Sequence, residues 1–413
     1  MNLLYLMPRQ VWDTKMSRVR MSHAKWLGSH DRVEIRVSGP GWPGWDDGIS
    51  PAENVRRLKI NGEPVSTVLT YKVGGLAGCD VPVVIAYNEA FEYDAVNREV
   101  ADVGASIVIF HHAPDLPRYA HLDDLGISRI HIPHSADPEV YRDWGQSKDI
   151  DVLVAGNLSQ HYYPFRHRLM RIAVTVLRRR AWRVVVLKHP GYTLPAKDGT
   201  VVGAEFAKTL NRAKLVLTCS MRFKYQLAKY AEIAMCRSLP VGDMPDECAP
   251  CTARLEKMLL RVEPWMPDAE IVREIETALE DDDALAKRTA VACEVASTQL
   301  SMKQYAERFC EAVEPLAERI ITERKRRYES EQQEAASRRV IMRADVPSGT
   351  KAVCAYLDDA SRVDLTLDEA AALTNDHVYT VESVHPSRAA AYVRLREIPA
   401  MLFPIWLFRE GDK

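Results

Sequence analysis

The sequence predicts an α/β protein of two tandem doubly wound domains facing a cleft, followed by a helical segment and a small all-β barrel. Three observations predict it. Short apolar runs alternate with helical segments through the first 145 residues, and the alternation restarts near residue 150. From residue 346 the chain changes to short strand-like pieces separated by polar turns. At 413 residues it is also too long for one ordinary core.

In the first domain (1–145), "NLLYLM" (2–7) reads as a buried strand and "SRVRMSHAKWLGSH" (17–30) as the helix after it. "RVEIRVSG" (32–39), "PVVIAYN" (82–88), "SIVIFHHA" (106–113) and "RIHIPHS" (129–135) follow as strands. Strand and helix in repeated alternation predict a parallel sheet covered on both faces. The second domain (146–267) opens with "DIDVLVAGNLS" (149–159), a strand running into a polar loop. It continues through the helix 164–180, the strand 182–191, the helix 203–213 and the strand 214–220. A helix over 222–236 and the strand "SLPVGD" (238–243) complete it. Residues 268–343 read as helical, with 324–339 a highly charged helix or linker, and 346–413 as the barrel.

Composition narrows the functional classes. A hydrophobic content of 47% and a charged content of 27% are those of a soluble globular protein. The net charge of −2 argues against coating nucleic acid by bulk charge, though local basic clusters can still meet phosphates. The N-terminus lacks a basic leader and no run of about 18 apolar residues occurs, so a cytoplasmic protein without membrane contact is expected. Among eight cysteines only Cys248 and Cys251, in "CAPC", lie close together. A zinc site needs four ligands and no second pair stands at matching spacing, so no metal site is expected. No GxGxxG, GxxxxGK[ST] or G-x-S-x-G motif is present.

The stretch "KYAEIAMCRSLPVGDMPDE" (229–247) carries Lys229 and Glu232 on one side of a helix, off the apolar stripe of Phe223, Leu227, Tyr230, Ala231 and Ala234. As a solvent-exposed pair they would contribute only ~0.3 kcal/mol. They fall, however, where the strand ends of the second sheet should open into the cleft. There a carboxylate can accept from a ribose diol and a lysine can meet a diphosphate.

At these residues the chain resembles the donor-binding signature of GT-B glycosyltransferases of the group-1 type. The likeness extends over "IPHSADPEVYRDWGQSKDIDVLVAGNLSQHYYPFRHRL" (132–169), "LKHPGY" (187–192) and "FAKTLNRAKLVLTCS" (206–220). It implies two Rossmann-like domains, the first holding the acceptor and the second a nucleotide-sugar co-substrate, most often a UDP-sugar, with no tightly bound cofactor. It implies that Glu232 takes the ribose-binding carboxylate and that Lys229 lies on the helix facing the diphosphate. Asn157, Arg166, Lys188 and His189 would sit around the phosphates. Two positions depart from the pattern: Arg237 stands for the usual glycine, and Lys224 for the family's other acid.

On the acceptor side, His111, His112, Asp115 and Glu89 are candidates for a general base or an acceptor-positioning group, though each taken alone reads first as a structural residue. The arginines of 166–183 form a solvated basic face or a track for a polyanion. "HVYTVESVHPSRAAAYVRLREIPAMLFPIWLF" (377–408) resembles small barrels often encoded by bacteriophages. The expectation is a glycosyltransferase whose acceptor is a hydroxymethylated base in duplex DNA. The alternatives are a protein or surface-glycan acceptor, or an inactive binding module of the same fold. Oligomeric state is left open by the sequence.

Overall fold

The structure, a computed structural model, describes residues 1–14, 18–191, 201–338, 351–354, 378–386, 391–395, 398–404 and 408–410. The chain divides into two compact units, Met1–Ile321 and Thr322–Lys413.

The first unit opens with β1 (Asn2–Leu6), α1 (Arg9–Thr14), α2 (Val19–Gly28), β2 (Glu34–Ser38) and α3 (Pro51–Arg57). A small hairpin of β3 (Lys59–Ile60) and β4 (Glu63–Pro64) precedes β5 (Thr67–Thr70), β6 (Val83–Tyr87) and α4 (Tyr93–Asp102). The half ends with β7 (Ile107–Phe110), α5 (Asp115–Arg118) and β8 (Ser128–His131). Six strands pair in parallel in the order β2-β1-β5-β6-β7-β8. The sequence reading had no strand at 67–70. Its four residues are fully buried yet include two threonines, so neither alternation nor a long apolar run marks them.

The second half runs β9 (Ile150–Val154), α6 (Pro164–Ile172), β10 (Val184–Val186), α7 (Gly203–Asn211) and β11 (Ala213–Leu217). It continues with α8 (Lys229–Met235), β12 (Leu239–Gly242), α9 (Ala249–Met258) and β13 (Leu260–Arg261). Its parallel sheet has the order β10-β9-β11-β12-β13. The helices that follow are α10 (Asp268–Glu280), α11 (Asp282–Gln299) and α12 (Met302–Arg338). Ile271, Ile275 and Leu279 of α10 and Ala292 and Ala296 of α11 bury in the core of this second half. Met302, Tyr305, Phe309 and Val313 of α12 bury instead against Leu3, Tyr5, Val84 and Ile107 of the first sheet. The crossing points are tied together: Ala136 N donates to Leu300 O at 2.8 Å and Met302 N to Ala136 O at 2.9 Å.

Two elements differ from expectation. The helix expected over 222–236 begins only at Lys229, because Met221 and Lys224 take positive φ (+52° and +56°) and break the turn before it. Lys229 and Glu232 therefore occupy the first turn of α8, not its end. The helix expected over 164–180 is α-helical to Ile172 and then passes through a wider and a tighter turn to Arg180. Among the described residues, no helix is long and apolar enough to cross a membrane.

The second unit holds the remainder of α12 and a five-stranded antiparallel sheet. Its strands are β14 (Lys351–Cys354), β15 (Val378–Pro386), β16 (Ala391–Leu395), β17 (Ile398–Pro404) and β18 (Phe408–Glu410), in the order β17-β16-β15-β14-β18. The connections that would close it into the expected barrel lie outside the described residues.

Candidate functional site

A cavity of about 280 Å³ opens at the carboxyl end of the second sheet, where parallel strands release their loops. Leu187, Lys188 and His189 after β10, Gly156 after β9, and Lys229 and Glu232 of α8 line it from the second half. Arg18, Val19 and Ser22 at the start of α2 face them from the first half, with Ser135, Asp137 and Tyr141 of the connecting segment between. The cavity thus lies between the two sheets.

Lys229 and Glu232 are paired with one another, as a surface reading would have it, but they are not on the surface. Their side chains are only 23% and 14% exposed, and the lysine ammonium also stands 4.4 Å from the Phe206 ring centre. Burial, and next the charge of Glu232, push the Tyr141 phenol well above its ordinary range, so a neutral hydroxyl faces the carboxylate. Val201, Val202 and Gly203 bring the start of α7 to the same cavity. Its N-cap, Val202, offers no side-chain oxygen to the first amides. Unfilled amides at a helix start suit an anion. His189 accepts from Gly191 N at 3.1 Å. Its pKa is lowered by desolvation first and then by Lys229 and Arg166, which favours the neutral ring.

Asn157 and Arg166 belong to the wall behind the cavity. Asn157 Oδ1 accepts from Ser159 N at 2.9 Å and closes the loop after β9. Arg166 is 2% exposed, donates to Asn157 O at 3.0 Å and Thr218 Oγ1 at 3.3 Å, and stacks on Tyr163. Gly156, at φ +104°, leaves room for that guanidinium; a Cβ there would sit 2.8 Å from Nη1.

The acceptor-side candidates separate by burial. His111 hydrogen-bonds Ile132 O through Nδ1 at 2.7 Å and packs among His23, His134 and Tyr305. His112 stacks on Tyr225 with ring centres 4.0 Å apart and stands 3.5 Å from Glu247. Both rings are buried; desolvation holds His111 well below its ordinary value and His112 at about 3. Asp115 accepts from the Tyr225 hydroxyl at 2.6 Å, across the two halves, and burial raises its carboxyl to about 6. Glu89, beyond the end of β6, is the one of the four open to solvent. Surrounding protein still raises its carboxyl, and Arg20 opposes the shift. Arg20 itself belongs to α2, the helix whose start lines the cavity.

Several lining residues escaped the sequence reading. Asp137 accepts from Ser22 Oγ at 2.7 Å and Trp26 Nε1 at 3.0 Å, fastening the connecting segment to α2. Arg18 reaches the mouth and donates to Trp12 O at 3.2 Å, and Trp12 packs edge-on to Trp42 at 5.7 Å. Nothing in their spacing marks Arg18, Asp137 and Tyr141 as neighbours; the two halves must first fold together. The arginine face, by contrast, is largely committed. Arg168 and Arg180 pair with Asp268 and Glu276 of α10, Arg183 with Asp149, and Arg178 donates to Val184 O.

No family model matches the chain, and no curated protein matches it. Among solved structures it is similar to an alpha-glucosyltransferase in complex with UDP and a 13-mer DNA containing a HMU base (10% identity, TM-score 0.49, covering 78% of this chain and 99% of that one). It is similar to the DNA-modifying enzyme beta-glucosyltransferase in the presence and absence of uridine diphosphoglucose (12% identity, TM-score 0.45, 76% and 100% covered). Sucrose-phosphate synthase from Thermosynechococcus elongatus is a further neighbour (10% identity, TM-score 0.47, 76% and 99% covered). Likeness at this distance carries no chemistry across, and the functional reading rests on this chain's own residues.

Proposed function

We propose that the chain is a glycosyltransferase that takes a nucleotide sugar, a UDP-sugar in the first instance, at the second half and an acceptor hydroxyl at the first. The observation that carries the reading is the sheltered Lys229–Glu232 pair on the wall of a cavity beyond the strand ends, beside the uncapped start of α7. Glu232 accepts from the ribose diol. Lys229, Lys188 and the α7 amides receive the diphosphate as the sugar–oxygen bond breaks and negative charge gathers on the leaving group. Glu89, solvent-open and with a raised carboxyl, takes the acceptor proton if the enzyme inverts. His111, His112 and Asp115 are buried and do not line the cavity, and they are assigned a supporting role in the packing of the first half.

For the acceptor we favour a hydroxymethylated base turned out of duplex DNA. What supports this is Arg18 on the α2 side of the cavity, with the Trp12–Trp42 pair linked to it through the Trp12 carbonyl. The second reading is a neutral acceptor on a protein or glycan. The commitment of Arg168, Arg180 and Arg183 to carboxylates favours it, because a duplex gains little from cations already paired.

The experiment is a thermal-shift and turnover assay against UDP, GDP, ADP and CMP and their sugars. A ligand at 100 times its dissociation constant should stabilise the fold by roughly 2.7 kcal/mol. Glu232→Gln removes a charge-assisted contact of about 1.5–3 kcal/mol and should weaken that ligand by roughly 10–100-fold. Binding unchanged in the variant would sink the donor assignment; binding without turnover on any acceptor would leave a binding module. A DNA acceptor further requires duplex binding that weakens steeply with salt.

A further inference from the structure

The sequence leaves Cys248 and Cys251 without further ligands, but the fold brings one to them. His131, the last residue of β8 at the edge of the first sheet, meets the "CAPC" turn that opens α9 in the second half. His131, Cys248 and Cys251 each present a ligand atom, and all three atoms lie within 4.8 Å of one another. The two sulfurs are 2.8 Å apart. His131 Nε2 is buried and lacks a hydrogen-bond partner. A buried imidazole nitrogen without a partner, set beside two thiols, is a group that a metal ion would satisfy.

We infer that His131, Cys248 and Cys251 form a site for a thiophilic divalent cation, Zn²⁺ in the first instance, which joins the two halves of the first unit. Two thiolates and an imidazole are the donor set that zinc prefers, at bond lengths of about 2.3 and 2.0 Å. The sulfurs must part by about 1 Å to take two corners of a tetrahedron, a change within reach of side-chain rotation at Cys248, the N-cap of α9. Glu247 Oε2 stands 4.0 Å from His131 Nε2 and takes the fourth corner; the Ala113 and Gln226 amides already orient that carboxylate. Arg254 Nη2 lies 3.2 Å from the Cys251 sulfur and donates to it, offsetting the excess negative charge of three anionic ligands around one dication. On binding, two metal–sulfur bonds form and the two thiol protons pass to solvent. A recess lined by Ala113, Asp246, Glu247 and Cys248 opens beside the site and provides a path for the ion.

The pairing matters because its ligands come from opposite halves. A bound cation would hold β8 to the start of α9 and add a covalent-like tie behind the cleft, on top of the Tyr225–Asp115 hydrogen bond nearby. This consequence does not depend on the sugar-transfer reading, and its test does not use turnover.

The full chain is reduced, stripped with chelator, reloaded with Zn²⁺, dialysed and assayed for metal by mass spectrometry. About one equivalent retained per chain is expected, falling towards zero in Cys251→Ser and His131→Gln and unchanged in Cys293→Ser. The unaltered chain is loaded with Co²⁺ in parallel, so that no conclusion depends on a variant folding. Thiolate-to-cobalt charge-transfer absorption is expected. No retained metal, retention unaffected by both ligand substitutions, or a cobalt spectrum without the thiolate band would each overturn the site. So would a Cys248–Cys251 disulfide whose reduction leaves a chain unable to bind metal.

Discussion

Lys224 stands where the resembling family carries an acid, and its surroundings account for the change of sign. Its ammonium donates to Asp243 Oδ2 at 2.9 Å and lies 3.9 Å from Glu263 Oε2. Both acids are buried, and Asp243 also accepts from Ser220 N at 2.8 Å. Lys224 therefore sets a cation against two buried carboxylates, the second of which also pairs with Arg261. Lys224→Met should cost about 2 kcal/mol, the worth of a charge-assisted hydrogen bond whose loss leaves charge unbalanced, discounted because the lysine is a third exposed. A urea midpoint equal to that of the unaltered chain would remove this account. Legibility at this scale was mixed. The sequence placed Glu232 and Lys229 on one side of a helix, though it began that helix too early; the setting of Lys224 was not legible, because its partners lie 19 and 39 residues downstream, at Asp243 and Glu263.

At the scale of the element, α8 shows what the departure at Arg237 means. The helix ends at Met235, and Arg237 follows at φ +52°, the left-handed position that glycine fills without strain. Its N–H still closes the turn on Ala234 O at 3.0 Å. The side chain adds only an exposed pair with Asp143 at 3.4 Å, so little is lost by removing it. Arg237→Gly should stabilise the fold by roughly 0.5–1 kcal/mol and raise the unfolding temperature by on the order of 1 °C. Unchanged nucleotide binding is expected alongside, since Arg237 does not line the cavity. A lower unfolding temperature would show that the arginine earns its place through contacts beyond Asp143. The late start of α8 has the same origin as its end: positive φ at Met221 and Lys224 interrupts an apolar stripe that would otherwise continue the helix.

Across the whole molecule, the buried histidines set the pH response. His23, His111, His112 and His134 are all nearly inaccessible, and desolvation lowers each below its ordinary value of about 6.5. Unfolding releases them to the ordinary value, so below it the unfolded chain binds more protons and stability falls as the pH falls. For His112 the window runs from about 6.5 down to about 3. Four such groups give a slope of up to about 5 kcal/mol per pH unit once well below 6.5. Asp115 acts in the opposite sense. Its carboxyl is raised to about 6 in the fold, so it adds stability at low pH that is lost between about 4 and 6 as the pH rises. Glu89 and Glu247, whose carboxyls desolvation also raises, act in the same sense as Asp115. The four histidines outnumber these three, and the expected result is a steep loss of the unfolding free energy between pH 6.5 and 5, followed by denaturant titration at each pH. A flat profile there would mean that the cluster is solvated.

The sequence by itself determined the two alternating α/β halves, their order, the strand-rich tail and the place of the Glu232 helix beside a strand end. Those follow from local periodicity and from residues that stand near one another in the chain. Tertiary structure decided the rest. It set which arginines pair with α10, that α12 returns to the first core, that Arg18 and Asp137 line one cavity with Glu232, and that His131 meets Cys248 and Cys251. The physical reason is the same in each case. These juxtapositions join segments far apart in the chain, and burial of two facing cores, not any local preference, brings them together.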